Sequence, residues 1–228
     1  MSAFKSEGEN SASSPPGLSA LAGYWPARGE ERRDAAERRR HILATARGLF
    51  EERGVESVSV HEVARAAGVG QGTMYRRFEH KGALCSALLY ESMQRFSDEV
   101  RETIETRESA LEGLSELLAG IVSFNEENAA LLGAIRASGG ERDPGGQYRS
   151  PFYRWLRATV VALLERAGGR GEIPPPDLES VPDAVLAALN IDLYLYQRRD
   201  LGLPPDRILG SLEALLLDGL RGADYPST

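Results

Sequence analysis

Residues 59–78 read SVHEVARAAGVGQGTMYRRF and predict two short helices joined by a tight turn. Ser59 and Glu62 have the capping-box spacing, in which each side chain bonds the other residue's free backbone N–H at the start of a helix. The first helix should therefore begin at Val60. Gly68 should end it, because the position just after a helix favours a positive φ.

The second helix of this stretch is predicted to run from about Gly70 to Arg77. Two short helices in this order predict a helix-turn-helix, whose second helix enters the DNA major groove. The side chains of that helix that can hydrogen-bond to DNA are Gln71, Thr73, Tyr75, Arg76 and Arg77. The alternative for any pair of short helices is a hairpin with a solvated polar face.

The flanking sequence favours the DNA-binding interpretation. Residues 34–53 have the periodicity of one buried helical stripe and stop at Gly54, which predicts a first helix, and a long apolar-periodic segment follows Lys81. Over residues 37–97 the chain resembles the N-terminal domain of tetracycline-repressor-type (TetR) transcriptional regulators. The residues that carry this resemblance are Ile42-Leu43-Ala44-Thr45-Ala46, Leu49-Phe50, Gly54, Val60 to Gly68-Val69, Gly72-Thr73-Met74-Tyr75, Phe78, Lys81 and Leu84.

The resemblance implies a homodimer that binds a palindromic double-stranded DNA operator and is regulated by a small-molecule effector. The residues expected at the DNA are Arg40, Ser59, His61, Gln71, Gly72, Thr73, Tyr75, Arg76, Arg77 and Lys81. Among them, Gln71 suits adenine and Arg76 suits guanine. The chain departs from the family pattern at Gly70, where the family has Ser or Thr, and at Glu79-His80.

The charge distribution agrees with a DNA contact in the N-terminal part. The whole chain carries −7, yet residues 31–82 contain 11 Lys and Arg against 8 Asp and Glu, while residues 83–228 contain 14 against 23. The run Arg38-Arg39-Arg40 is either a solvated helix face or a set of phosphate or minor-groove contacts.

We expect an all-α chain with three parts: a disordered tail over 1–30, the helix-turn-helix domain over 31–82, and a regulatory and dimerisation domain over 83–228. In the last part, periodicity predicts helices around 111–122, 128–137, 152–169, 182–199 and 205–221. The last two should form the dimer interface. Their exposed stripes would be Ala184, Ala187, Ala188 and Ile191, and Ile208, Leu212, Leu215 and Leu216, although the same stripes could face the protomer's own core.

Polar and aromatic residues on the apolar C-terminal helices are the candidates to line an effector pocket, with core packing as the alternative for each. They are Phe96, Phe124, Asn125, Arg136, Phe152, Trp155, Asn190 and Tyr194.

Other function classes lack residues to support them. His41, His61 and His80 have no metal-ligand spacing, so we expect no metal, no cofactor and no enzyme activity. The single Cys85 excludes an intramolecular disulfide and favours a reducing compartment; it should pack as a small apolar side chain, with redox sensing as the alternative. No segment has the length of a membrane span, and we expect a cytoplasmic protein. The sequence thus predicts a DNA-binding transcriptional regulator, a repressor that a small-molecule ligand releases from DNA. The alternative is a helical protein-interaction module that no longer binds DNA.

Overall fold

The computed structural model describes residues 33–138 and 146–222, and these ranges contain helices and no strands. The expectation of an all-α fold is confirmed. The predicted tail over 1–30 lies outside the described residues. The helices are α1 Arg33–Arg53, α2 Val60–Ala66, α3 Gln71–Arg77, α4 Lys81–Glu105, α5 Ala110–Ala137, α6 Gly146–Arg149, α7 Pro151–Gly169, α8 Val181–Ala187, α9 Ile191–Arg199 and α10 Pro205–Gly222.

Helices α1 to α3 form the predicted N-terminal arrangement. The capping box at the start of α2 is present: Ser59 Oγ accepts from Glu62 N at 3.2 Å, and Glu62 Oε2 accepts from Ser59 N at 2.9 Å. Gly54 and Gly68 follow α1 and α2 with φ of 79° and 64°, a conformation that favours glycine. These helices and the start of α4 enclose one core, made of Ile42, Leu43, Ala46, Phe50, Val58, Val63, Met74, Phe78, Leu84, Leu88 and their neighbours.

Helix α4 belongs to two cores. Its first half contributes Leu84 and Leu88 to the N-terminal core, and its second half contributes Phe96 and Val100 to a larger C-terminal core. His80 is its N-cap, since Nδ1 accepts a hydrogen bond from Ala83 N at 3.1 Å. The departure at Glu79-His80 therefore supplies a helix cap.

The prediction of two helices over 111–122 and 128–137 is wrong, because α5 runs unbroken from Ala110 to Ala137. The two asparagines at its centre are buried and find partners within the fold. Asn125 Nδ2 donates to Leu189 O at 3.2 Å, and Asn128 Nδ2 donates to Phe124 O at 2.8 Å. Because these bonds satisfy the amides, the polar stretch does not interrupt the helix.

The single helix predicted over 182–199 is also wrong. Its chain divides into α8 and α9 at Asn190, whose backbone (φ −54°, ψ 131°) is not helical. Asn190 Oδ1 accepts from Asp192 N at 2.9 Å and so starts a new helix.

Helices α7 and α10 lie close to their predicted positions, each with a proline at its first residue. Helix α7 packs with α4 and α5 in the C-terminal core, and α10 packs against α5. No described helix is both long enough and apolar enough to cross a membrane.

Candidate DNA-binding surface

Helix α3 is anchored by two buried residues and exposes a polar face. Met74 is fully buried and Phe78 is 2% exposed, so both fix the helix on the N-terminal core. Gln71, Gly72, Tyr75 and Arg76 are exposed, and Thr73 and Arg77 are half-buried. The predicted hydrogen-bonding residues are thus displayed along one short helix.

The turn before α3 is fixed by backbone bonds and not by a side-chain cap. Val69 N donates to Ala64 O at 3.0 Å, which closes the end of α2. Gly70 is the N-cap of α3 and offers no side-chain bond, while its carbonyl accepts from Met74 N at 3.0 Å. The departure from the family pattern at Gly70 therefore leaves α3 without a side-chain cap.

A contact between the two helices involves a predicted base-reading residue. Gln71 Nε2 is in contact with His61 Nδ1, and it lies 3.5 Å from His61 Nε2. Both side chains are exposed. His61 was predicted to be a DNA contact, but its pairing with Gln71 depends on how α2 crosses α3 and has no signal in the sequence.

Two predicted contacts at the edge of this surface also have partners inside the protein. Lys81 Nζ donates to Glu56 O at 3.0 Å, and Arg76 Nε donates weakly to Gly72 O at 3.4 Å. Neither bond neutralises the positive charge, because each acceptor is a backbone carbonyl. Both cations are therefore available to phosphates or bases.

Ser59 was predicted to contact DNA, and in the structure it also has a separate role as the cap of α2. It caps α2 together with Glu62, and Arg53 Nη2 also donates to Glu62 Oε1 at 2.8 Å. The backbone N–H of Ser59, followed by the Arg53 and Ser59 side chains, lowers the pKa of Glu62 to about 2.

The arginine run on α1 has two kinds of member. Arg40 and Arg38 are exposed, whereas the Arg39 guanidinium lies over the Phe78 ring, 5.4 Å from its centroid. Arg39 thus contacts the residue that anchors the end of α3. The sequence alone does not distinguish Arg39 from its neighbours, because the difference depends on where Phe78 lies in the fold.

A groove of about 510 Å³ lies between α4 and α5. Phe96 and Phe124 contribute to its floor, with ring centroids 5.2 Å apart. Its complete lining is Ser92, Arg95, Phe96, Glu99, Val100, Thr103, Ile104, Glu116, Leu117, Ala119, Gly120, Ser123, Phe124 and Glu127. Three carboxylates and one guanidinium therefore surround an apolar floor.

Phe96 and Phe124 are thus the two predicted pocket residues that line this groove. Phe152 and Trp155 stack on each other beside them in the core, with centroids 6.1 Å apart. The charged residues of the groove were not predicted from the sequence, since carboxylates on a helix surface give no signal of a concave site.

The other predicted pocket residues form hydrogen bonds or ion pairs with other residues of the protein. Asn125 and Asn190 make the bonds described above, Arg136 forms an ion pair with Asp192, and Tyr194 OH donates to Glu126 Oε2 at 2.7 Å. Burial, together with the neighbouring Glu126 carboxylate, raises the pKa of Tyr194. Asn125, Arg136 and Tyr194 thus join α5 to α9 and to the turn that precedes α9.

The environment of Cys85 favours a packing role for this residue. Cys85 is fully buried, and desolvation raises the pKa of its thiol to about 11. A thiol held protonated in this way is a poor nucleophile, which favours packing over redox sensing. The described ranges contain no group of three His, Cys, Asp or Glu residues placed to hold a metal ion.

Comparison with known proteins gives matches along most of the chain. The family model described as bacterial regulatory proteins, tetR family, matches residues 42–88. An HTH-type transcriptional regulator of Staphylococcus aureus (strain USA300) is 33% identical over 125 residues, which cover 55% of this chain and 66% of that protein. The match thus spans just under two thirds of the length of this curated relative.

Solved structures extend the similarity of fold to the C-terminal helices. A TetR/AcrR-family transcriptional regulator from Thermobifida fusca has a TM-score of 0.63 at 20% identity, covering 81% of this chain and 99% of that one. The transcriptional regulator FadR from Bacillus subtilis, solved in complex with stearoyl-CoA, has a TM-score of 0.59 at 20% identity, covering 79% and 98%.

Proposed function

We propose that this chain, which is similar to the tetR family of bacterial regulatory proteins over residues 42–88, is a sequence-specific DNA-binding transcriptional regulator. The observation that carries the proposal is α3, which buries Met74 and Phe78 and exposes Gln71, Tyr75 and Arg76. A helix anchored in this way can enter a major groove without disturbing its own core. Its exposed groups can bond base edges and phosphates.

The charge around this helix supports the proposal. Residues 31–82 carry a net charge of +3 in a chain of net charge −7. Cationic side chains that neutralise phosphates release counterions and so provide affinity for any duplex. Base contacts from α3 would then supply the sequence preference.

Selection from random duplexes tests this function directly. The full-length protein should enrich one palindromic sequence and shift it in a gel, and the double variant Gln71→Ala/Arg76→Ala should lose that preference. A matched control is Arg65→Ala, which removes an exposed arginine from α2. If the wild-type protein binds none of the duplexes, the alternative of a helical protein-interaction module is favoured.

Two half-sites need two copies of α3, so the proposal includes a homodimer formed through α8, α9 and α10. Large apolar side chains are exposed there: Leu215 is 71% exposed, Tyr196 50% and Leu193 44%. Among the predicted interface residues, Ile208 is buried in the protomer's own core, whereas Ala184, Ala187 and Leu215 are exposed. The variant Leu215→Asp should shift the molar mass measured by light scattering from dimer towards monomer; an unchanged mass would exclude this surface.

We also propose that a small effector binds the groove between α4 and α5 and releases the protein from DNA, which would make it a repressor. FadR from Bacillus subtilis was solved in complex with stearoyl-CoA, which is an anionic ligand. In this chain, Glu99 and Glu127 have no ion pair with any residue that the structure describes, and Glu116 pairs with Arg107. With Arg95 as the one guanidinium of the lining, Glu99 and Glu127 still leave the groove a net negative charge. That charge repels an anionic headgroup, so this groove favours a cationic or neutral ligand with an aromatic or aliphatic body.

A further inference from the structure

The contact between His61 and Gln71 lies at the entrance of the helix-turn-helix. His61 is the second residue of α2, and Gln71 is the first residue of α3. The Gln71 amide nitrogen contacts the imidazole Nδ1 although both side chains are exposed. The two side chains therefore meet on the solvent-exposed side of the helix pair.

The chemistry of the two groups determines what Gln71 has left to offer DNA. A glutamine amide has two N–H donors and one carbonyl acceptor. A neutral imidazole accepts at Nδ1 when its proton is on Nε2. One amide N–H of Gln71 is then used by His61, and the remaining groups are a single N–H and Oε1.

We propose that His61 is a positioning residue that restricts Gln71 to adenine. In the major groove, adenine presents the N7 acceptor beside the N6 donor, which matches one N–H and one carbonyl. Guanine presents two acceptors, N7 and O6, and would need both N–H groups of the amide. While His61 holds one of them, Gln71 Oε1 would face guanine O6, and the two oxygens repel each other.

This inference rests on the proposed DNA-binding function and concerns specificity more than affinity. Loss of the imidazole frees the second N–H of Gln71 and allows the side-chain amide to rotate. The amide could then bond guanine through both of its N–H groups. The protein should still bind its operator, with a weaker distinction between the two purines.

The test first locates the symmetric pair of operator positions at which Gln71→Ala loses its base preference. The full-length protein is then measured on its selected operator and on a second duplex in which guanine replaces adenine at both of those positions. The ratio of the two dissociation constants is measured for the wild type and for His61→Ala, and we expect it to fall roughly tenfold in the variant. His61→Gln should restore the ratio, because its side-chain carbonyl can accept from the Gln71 amide. In the Gln71→Ala background, His61→Ala should have no further effect on the ratio.

His41→Ala is the matched control, since it removes another exposed imidazole from the same domain and should leave the ratio unchanged. Equal weakening on both duplexes in His61→Ala, an unchanged ratio, or a selection profile insensitive to Gln71→Ala would each overturn the inference while DNA binding stands. If the wild-type protein selects no sequence at all, the proposed function itself fails and the inference falls with it.

Discussion

Among single residues, Arg76 offers the sharpest test of base reading. It is exposed on α3, and among the residues that the structure describes it has one weak bond, from Nε to Gly72 O at 3.4 Å. An arginine in this position can bond guanine O6 and N7, a contact worth about 1–3 kcal/mol of discrimination. Arg76→Ala should therefore relax the preference at one symmetric pair of operator positions in a selection experiment. A profile identical to that of the wild type would contradict this role.

Lys81 should contribute affinity without sequence preference. Its ammonium is held by the Glu56 carbonyl at the edge of the N-terminal domain, where it can approach a phosphate. Lys81→Ala should weaken binding to all duplexes alike and lower the slope of log affinity against log salt by about one unit per half-site. Lys81→Arg keeps the charge and should retain the slope. An effect confined to the specific site would argue against a phosphate contact.

Glu62 makes the stability of the helix-turn-helix dependent on pH. Hydrogen bonds from Ser59 and Arg53 lower its pKa from 4.5 to about 2, so its ionised form is favoured in the folded state. This stabilisation is complete above pH 4.5 and is lost as the pH falls towards 2. The wild type should unfold at a higher temperature than Glu62→Gln near neutral pH, and the two melting curves should converge in acid. A gap independent of pH would exclude the ionised carboxylate as its cause.

The sequence predicted the local features of this surface better than it predicted the contacts between helices. The Ser59–Glu62 cap and the turn at Gly68 depend on residues a few positions apart, so their spacing alone predicted them. The positions of Arg39 over Phe78 and of His61 against Gln71 depend on how helices cross. That crossing is set by packing of the whole N-terminal core, which a residue pattern does not encode locally.

Among the helices, the approach of α4 to α5 has a specific steric requirement at Gly82. A Cβ at this residue would lie 2.6 Å from Ser138 Cβ, so the two helices would have to separate. Overpacking of this kind costs about 1–3 kcal/mol, and we expect Gly82→Ala to destabilise the protein by that amount in chemical denaturation.

Gly48 provides the matched control for this substitution. It lies within α1, and a Cβ there would meet nothing within 4 Å. Gly48→Ala should stabilise the protein by about 0.5–1 kcal/mol, because alanine loses less backbone entropy in a helix. Equal effects of the two substitutions would show that α4 and α5 can separate freely.

The limits of sequence-based boundaries are clearest in α5 and in the pair α8 and α9. Each segment contains asparagine within an apolar helical pattern, yet α5 continues through Asn125 and Asn128 whereas the chain breaks at Asn190. The difference lies in the partners of the amides. Asn125 bonds a carbonyl of another segment, and Asn190 caps its own following helix. Helical periodicity therefore predicted the helical content of this region but not where its helices end.

Across the whole molecule, α4 and α5 connect the groove to the DNA-binding core. The residues Leu131, Ala134 and Ile135 near the end of α5 pack against the N-terminal core, and α4 contributes to both cores. The groove lies between the same two helices. We expect a ligand that changes their separation to shift α3 as well, which is the physical basis for the proposed control of DNA binding.

The corresponding prediction uses two ions of the same shape and opposite charge, tetraphenylphosphonium and tetraphenylborate. The carboxylates Glu99 and Glu127 and the ring of Phe96 should favour the cation, which should raise the melting temperature more than the anion does. The double variant Glu99→Gln/Glu127→Gln should reduce this difference, whereas Glu165→Gln, an exposed control on α7, should not.

Because a ligand can oppose DNA only by preferring another conformation, saturating cation should weaken operator binding by about 5- to 150-fold. Equal responses to both ions would exclude the charge preference, and equal DNA affinity with and without bound cation would show that occupation of the groove is not coupled to α3.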